Sequence, residues 1–195
     1  MAYGVITLGR EICSGGCDIA KEAARELGLP YYDKELITIA AKKSGLSEEA
    51  IAASEKRRTG SLMYSLYTMG NQLPLADQVF ILQSRIIKEI AEKGPCVIVG
   101  RCADYILRDS ADCLTAFIHA DPEFRARRIV QVYGEKTESP QQRLRDKDKR
   151  RAAYHRFYTD MKWGYARNYH VALDSGVLGL DACAQILCGL YKNRG

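Results

Sequence analysis

Val5-Ile6-Thr7-Leu8-Gly9-Arg10-Glu11-Ile12-Cys13-Ser14-Gly15-Gly16-Cys17-Asp18-Ile19-Ala20 is the stretch that decides the fold. An apolar run over residues 3–8 breaks at Gly9, as a buried strand does. A Gly/Ser-rich turn follows. Then Ile19, Ala20, Ala23, Ala24 and Leu27 recur at helical spacing until Gly28 and Pro30 stop them. Strand, glycine loop, helix is the opening unit. Glycines let backbone N–H groups curl around a phosphate, and the helix points its positive end into the same spot. The plain alternative is a tight connection and nothing more.

The same grammar repeats outward from there. Tyr31-Tyr32-Asp33 reads as a second short strand ending in a carboxylate, and Cys96-Val97-Ile98-Val99 as a third ending at Gly100-Arg101. Residues 113–120 make a fourth and Tyr169–Leu173 a fifth. Leu75, Val79, Leu82, Ile86 and Ile90 mark one stripe of a long helix that Gly94-Pro95 ends. Asp121-Pro122 opens another helix, with Arg125, Arg127 and Arg128, and Leu180–Leu190 reads as a closing one. Short apolar strands alternating with helices predict a parallel sheet covered on both faces, a three-layer α/β domain. Two polar stretches lack any strand pattern: about 45–74, with Lys56-Arg57-Arg58, and about 134–160. Both read as excursions from the core. Ligands of such sheets bind at the carboxyl ends of the strands.

The 195 residues hold 29 Lys and Arg against 24 Asp and Glu, a formal net charge of +5, with 47% apolar and 27% charged side chains. That balance excludes disorder, collagen-like repeats and a coiled-coil rod. A chain of this length buries roughly 70% of its unfolded surface, so one core forms without disulfide or metal staples. Seven cysteines, at 13, 17, 96, 102, 113, 183 and 188, contain no Cys-x-x-Cys, and only three histidines stand beside them. A structural zinc site is therefore not expected, and no metal ligands are assigned. No run of 18 apolar residues occurs, and residues 1–30 lack the order of a signal peptide. The expectation is a soluble, cytoplasmic protein with reduced thiols and no membrane or nucleic-acid partner.

Charged residues gather at the strand ends. The loop has the glycines of G-x-x-x-x-G-K-[ST] but not its lysine. Arg10 and Lys21 are the nearby cations, and Lys21 suits the solvated face of its helix better. Asp33 reads plainly as a helix cap. Arg101, at a strand end, faces the ligand crevice, and its planar fork suits a phosphate. Asp104 caps or pairs within the following helix. The segment Gln142–Tyr154 reads either as a solvated, salt-bridged helix or as an arginine-bearing lid over transferring phosphates. Tyr154, Phe157, Tyr158 and Trp163 follow at a spacing that packs such a lid onto the body.

Taken in order, these pieces resemble the cytidylate kinase-like family, a branch of the nucleoside monophosphate kinases within the P-loop kinases. Ile6-Thr7-Leu8-Gly9-Arg10-Glu11 followed by Ser14-Gly15-Gly16 and Ile19-Ala20 looks like its divergent phosphate loop. Tyr31-Tyr32-Asp33-Lys34-Glu35 and Val97–Arg101 with Ala103-Asp104 match its next signatures. Asp148–Arg151 with Tyr154, Trp163-Gly164 with Asn168-Tyr169, and Leu173–Gly176 with Leu178-Gly179 resemble its lid, return strand and final signature. The resemblance implies a single P-loop kinase-like domain over residues 1–195, with a five-stranded parallel sheet, an acceptor-side helical excursion and a lid. It also implies ATP, Mg²⁺ and transfer of the γ-phosphoryl group to a nucleoside monophosphate, most simply a cytidylate-like one. The chain would act as a monomer or small homo-oligomer. By the same resemblance Gly9, Cys13, Ser14, Gly15, Gly16, Cys17 and Asp18 cradle the donor phosphates. Asp33 and Arg101 lie on the acceptor side, and Arg128 and Arg151 clamp phosphates from the lid side.

This sequence departs from the family pattern at telling places. The family's Walker lysine falls on Gly16 and its Thr or Ser on Asp18, so Arg10 is the candidate to replace the missing charge. Cys102 stands where an Asp follows the strand-end arginine, Cys13 where a Gly is common, and His170 where an Asp is common. Two alternatives stay open: a nucleotide-binding module that senses without turnover, and a kinase of another small-molecule acceptor. Retention of Arg10, Arg101, Arg128 and Arg151 together favours turnover.

Overall fold

In the computed structural model, which describes residues 4–54, 73–109, 112–132, 134 and 139–193, the apolar runs pair into one five-stranded sheet. The strands are β1 (Val5–Arg10), β2 (Tyr31–Tyr32), β3 (Cys96–Val99), β4 (Cys113–His119) and β5 (Val171–Asp174), in the order β2-β3-β1-β4-β5. Every neighbouring pair is parallel. β1 is central. It pairs Val5–Leu8 with Cys96–Val99 on one side and Val5–Arg10 with Cys113–Ile118 on the other. The longer pairing draws Gly9 and Arg10 into the strand, opposite Phe117 and Ile118. The first strand therefore runs 5–10 rather than 3–8, and Arg10 issues from a strand end instead of from the loop. The fifth strand likewise begins two residues later than its apolar run suggests.

Nine helices are described: α1 (Gly16–Leu27), α2 (Glu35–Ser44), α3 (Glu48–Ser54), α4 (Leu75–Lys93), α5 (Ala103–Ile106), α6 (Pro122–Gln131), α7 (Pro140–Thr159), α8 (Ser175–Leu178) and α9 (Leu180–Lys192). Side chains alternate across a strand, so each strand feeds two cores. Ile6, Leu8, Val97, Val99, Leu114, Ala116 and Ile118 meet α1 and α9 on one face. Val5, Cys96, Ile98 and Cys113 meet α2, α4 and Leu107 on the other. Sequestering both faces explains why the strands read as unbroken apolar runs.

A third, smaller cluster joins the loop to two helices: Cys13 packs with Ala126 and Ile129 of α6 and Leu144 of α7. Helix α7 is held along its length. Tyr158 stacks on Phe80 of α4 with centroids 3.9 Å apart, and its hydroxyl donates to Asp77 Oδ1 at 3.0 Å. Trp163, just beyond α7, meets Phe117 edge-on at 5.2 Å. Of the four aromatic residues expected to pack this segment onto the body, Tyr154 and Tyr158 meet Phe80 and Trp163 meets Phe117, whereas Phe157 is exposed and touches Tyr158 of its own helix. The expected acceptor-side excursion begins with α3, while Lys56-Arg57-Arg58 lie outside the described residues. Within the expected lid, α7 is described and residues 135–138 are not. Among the described residues no helix is long and apolar enough to cross a membrane.

Candidate active site

The loop between β1 and α1 is fixed by its own backbone. Glu11 N–H donates to Ile118 O at 3.0 Å, extending the β4 pairing by one bond. Ser14 turns back, its hydroxyl donating to Glu11 O at 3.0 Å, and it is fully buried. Ser175, at the start of α8, sets its hydroxyl 2.5 Å from Ser14 O and 3.0 Å from His119 O, tying three carboxyl-end segments together. Gly15 takes φ +82°, and a Cβ there would press on Leu180 at 2.9 Å, so only glycine serves. Gly15 is also the N-cap of α1, and no side chain caps that helix. The first-turn amides, with their positive end of the helix dipole, are thus presented to the crevice.

Arg10 crosses the mouth of this loop. Its Cβ lies where a side chain on Gly16 would begin, since a Cβ on Gly16 would sit 2.6 Å from it. The guanidinium then runs past Gly100, whose added Cβ would collide with Arg10 Nη1, and ends 3.3 Å from Asp33 Oδ1. Cys17 Sγ approaches the other Asp33 oxygen at 3.7 Å. Asp33 is therefore not a helix cap; Lys34 holds the N-cap position of α2, and Asp33 faces the crevice. From above, Arg151 of α7 donates to Arg10 O at 3.1 Å. Burial, and then the nearby Arg10 guanidinium, push Arg151 down to about 10, while Asp148, Cys17 and Asp33 oppose the shift. It remains a cation at neutral pH.

The residues after β3 are held in an uncommon conformation. Gly100, Arg101 and Cys102 all have φ between +56° and +76°. Three consecutive left-handed residues, two with side chains, store strain of the kind that collects at functional turns. They set Arg101 just past the carboxyl end of β3, next in the chain to Gly100, which the Arg10 guanidinium passes.

On the far side of the loop stands a second charge cluster. Asp148 of α7 accepts the Ile12 backbone N–H at 2.8 Å with one oxygen and Arg125 Nη1 with the other. Arg125, buried, also reaches Ile12 O at 3.4 Å and lies 3.5 Å from Glu11 Oε2. Glu11 accepts the Ala120 N–H at 3.2 Å. Burial raises the Glu11 carboxyl above its ordinary range, with Arg125 opposing. Arg128 pairs with Asp18 at 2.7 Å, at the outer edge of the first turn of α1.

A recess of about 430 Å³ adjoins the loop between the ends of β4 and β5, with Phe117, Trp163 and Gly164 on one wall and Glu11, His119 and Asp174 around it. Among the described residues no group of three His, Cys, Asp or Glu side chains could hold a metal ion alone. Mg²⁺ needs fewer, because it keeps waters and shares the phosphates of its nucleotide. Ser14, buried and turned to Glu11 O, does not fit that task; Asp18 is a half-exposed carboxylate at the loop, with one of its oxygens held by Arg128.

A model described as the cytidylate kinase-like family matches residues 5–177. The chain belongs to the cytidylate kinase-like family. Among solved structures it is similar to an uncharacterized protein from Eubacterium ventriosum, at 28% identity and a TM-score of 0.76, with 97% of this chain and 99% of that one covered. A shikimate kinase from Bacteroides thetaiotaomicron aligns at 16% identity and TM-score 0.57, covering 98% of this chain and 100% of that one. A gluconokinase from Sinorhizobium meliloti aligns at 15% and 0.55, covering 98% and 95%. These last two share the fold. Among curated proteins none matches the chain.

In this member of the family the residues singled out from sequence fall into separate places. Arg10, Arg151, Asp33 and Cys17 come together at the ends of β1 and β2. Gly9 packs beneath them in β1, where a Cβ would strike Phe117 at 2.8 Å. Ser14, Gly15 and Gly16 form the turn itself, and Cys13 is buried under it. Arg128 and Asp18 pair with each other on the opposite flank from Arg10. Asp104 does not pair within its own helix; it meets His155 Nε2 of α7 at 3.2 Å. The sequence places Arg125 among three arginines of its helix without singling it out for the site. Its signal was its position three residues before Arg128, on the same helix face.

Proposed function

We propose that the chain is an ATP-dependent phosphotransferase whose acceptor is a nucleoside monophosphate, cytidylate being the first candidate. The observation that carries this is the meeting of Arg10 and Arg151 over the uncapped start of α1, with the Asp33 carboxylate facing them. Phosphoryl transfer asks the protein for position and charge rather than covalent chemistry. The amides of the first turn of α1 would receive donor phosphate oxygens. Arg10 and Arg151 lie where negative charge develops as the phosphoryl group moves, and a preorganised donor of that kind is worth ~10²–10³-fold in rate. Mg²⁺, held by Asp18 and the phosphates, would supply further charge neutralisation. The recess beside Trp163 offers an aromatic wall and carboxylate acceptors to the nucleoside end of a nucleotide. Asp33 and Arg101 border the acceptor side.

A second reading, a binding module without turnover, is favoured by one observation: Arg10 closes the position of the Walker lysine, so no ammonium reaches the loop from Gly16. A coupled assay with ATP-Mg²⁺ and a panel of monophosphates (CMP, dCMP, UMP, AMP) separates the two. Turnover of at least one acceptor above background supports the phosphotransferase. ATP binding with no acceptor-dependent ADP leaves the module as the answer.

A further inference from the structure

Within the phosphotransferase reading, we infer that Arg125 and the Ile12 N–H form a phosphate-oxyanion subsite that the chain fills with its own Asp148 carboxylate. A donor phosphate must displace Asp148 to bind there. One carboxylate oxygen takes the Ile12 N–H at 2.8 Å and the other takes Arg125 Nη1. A backbone amide of a glycine-rich loop and a buried guanidinium, converging on two oxygens of one anion, are the partners that bind a phosphoryl group. Asp148 comes from α7, 136 residues along the chain from Ile12. The contact is therefore a tertiary one, separable from the folding of the loop itself.

The Arg125–Asp148 pair is largely buried, but its surroundings leave Arg125 compensated when Asp148 departs. Arg125 is flanked on its other side by Glu11, whose carboxyl burial raises and which is engaged by the Ala120 N–H. Arg125 thus keeps a carboxylate neighbour when Asp148 leaves. Three residues on, Arg151 donates to Arg10 O from the same helix. A shift of α7 that frees the subsite must therefore also move Arg151, so taking up the donor and repositioning Arg151 become one event. That coupling is a property of this chain's α7 and needs no additional segment.

The test is direct binding, read by calorimetry, with ATP and with inorganic tripolyphosphate, comparing the unchanged chain with Asp148→Ala and Asp148→Asn. A tethered charge-assisted contact competing for one subsite predicts tighter tripolyphosphate binding in Asp148→Ala, by about tenfold or more. Hydrogen exchange of the Ile12 amide supplies a second readout: slow in the unchanged chain, fast in Asp148→Ala, and slow again once tripolyphosphate is added. Unchanged or weaker binding in both variants, with the unchanged chain still binding ATP, overturns the subsite while leaving the phosphotransferase reading intact. Failure of all three proteins to bind either ligand overturns both. Thermal melts of the variants distinguish loss of binding from loss of fold, and an Ile12 amide unaffected by the substitution in a folded variant overturns the proposal by itself.

Discussion

Gly16 is a position where the lysine of other phosphate loops cannot simply be reinstated. The Arg10 Cβ that would meet its side chain is fixed by strand pairing, not carried on a flexible tip. Gly16→Lys should therefore lower stability by about 1–3 kcal/mol, as overpacking does, without tightening ATP; urea unfolding and calorimetry measure the two effects. Arg10→Ala should cost at least ~10²-fold in turnover if the guanidinium meets the transferring group. A loss under threefold in steady-state rate would end its candidacy as the replacement charge. Glu11 offers a test in pH. Its folded carboxyl is raised, so the native state holds its proton more tightly than the unfolded chain, and the ionised form penalises folding above that raised value. Glu11→Gln should melt at or above the temperature of the unchanged chain at pH 7, with the difference shrinking toward zero as pH falls below 4.5. The direction of Arg10 was not legible in sequence. It depends on two extra residues of β1–β4 pairing, and nothing local marks where a parallel strand stops pairing.

Helix α7 and the turn after β3 are the elements on which the site hangs. His155, buried in α7, bonds Asp104 of α5 and lies 3.1 Å from Thr159 Oγ1, so the carboxyl half of α7 is pinned to the body. Asp104→Ala leaves that imidazole short of a partner and should cost about 1–3 kcal/mol in denaturant unfolding. Arg151→Ala, by contrast, should cut turnover more than stability, because the residue already pays the burial of a cation next to another cation. Gly100→Ala combines a left-handed backbone with a collision against Arg10. It should reproduce the rate loss of Arg10→Ala even though residue 100 itself carries no reactive group. The strands and the long helices were legible because burial on both faces writes apolar runs and stripes into the sequence. Which charged face of α7 turns inward was not: its apolar and polar residues are too evenly spread, and tertiary partners such as Phe80, Asp77 and Asp104 decide it.

Across the whole molecule the excess positive charge is less free than its sum suggests. Arg10, Arg125 and Arg128 each face a carboxylate of the same chain, Asp33, Asp148 and Asp18. Pairing of this kind keeps the crevice from being a bare cationic funnel and favours ligands that can exchange one anion for another. The family and the five-stranded sheet could be read in the sequence from the order of its weak motifs; the pairing of its arginines could not, because it joins residues as distant as Arg128 and Asp18, 110 positions apart, and Arg125 and Glu11. Nucleotide that binds the folded chain alone should raise its melting temperature, by about 2.7 kcal/mol of stabilisation at a hundredfold excess over Kd. The cysteines make such occupancy visible without any label being attached. None of the seven is in a disulfide and six are buried, with burial pushing Cys96, Cys113 and Cys188 up to about 11, 12 and 11. Cys17 alone is partly open, and it sits against Asp33 in the crevice. A brief alkylation of the native chain should mark one sulfur, on the first turn of α1, and the rate of that marking becomes a native reporter of what the crevice holds.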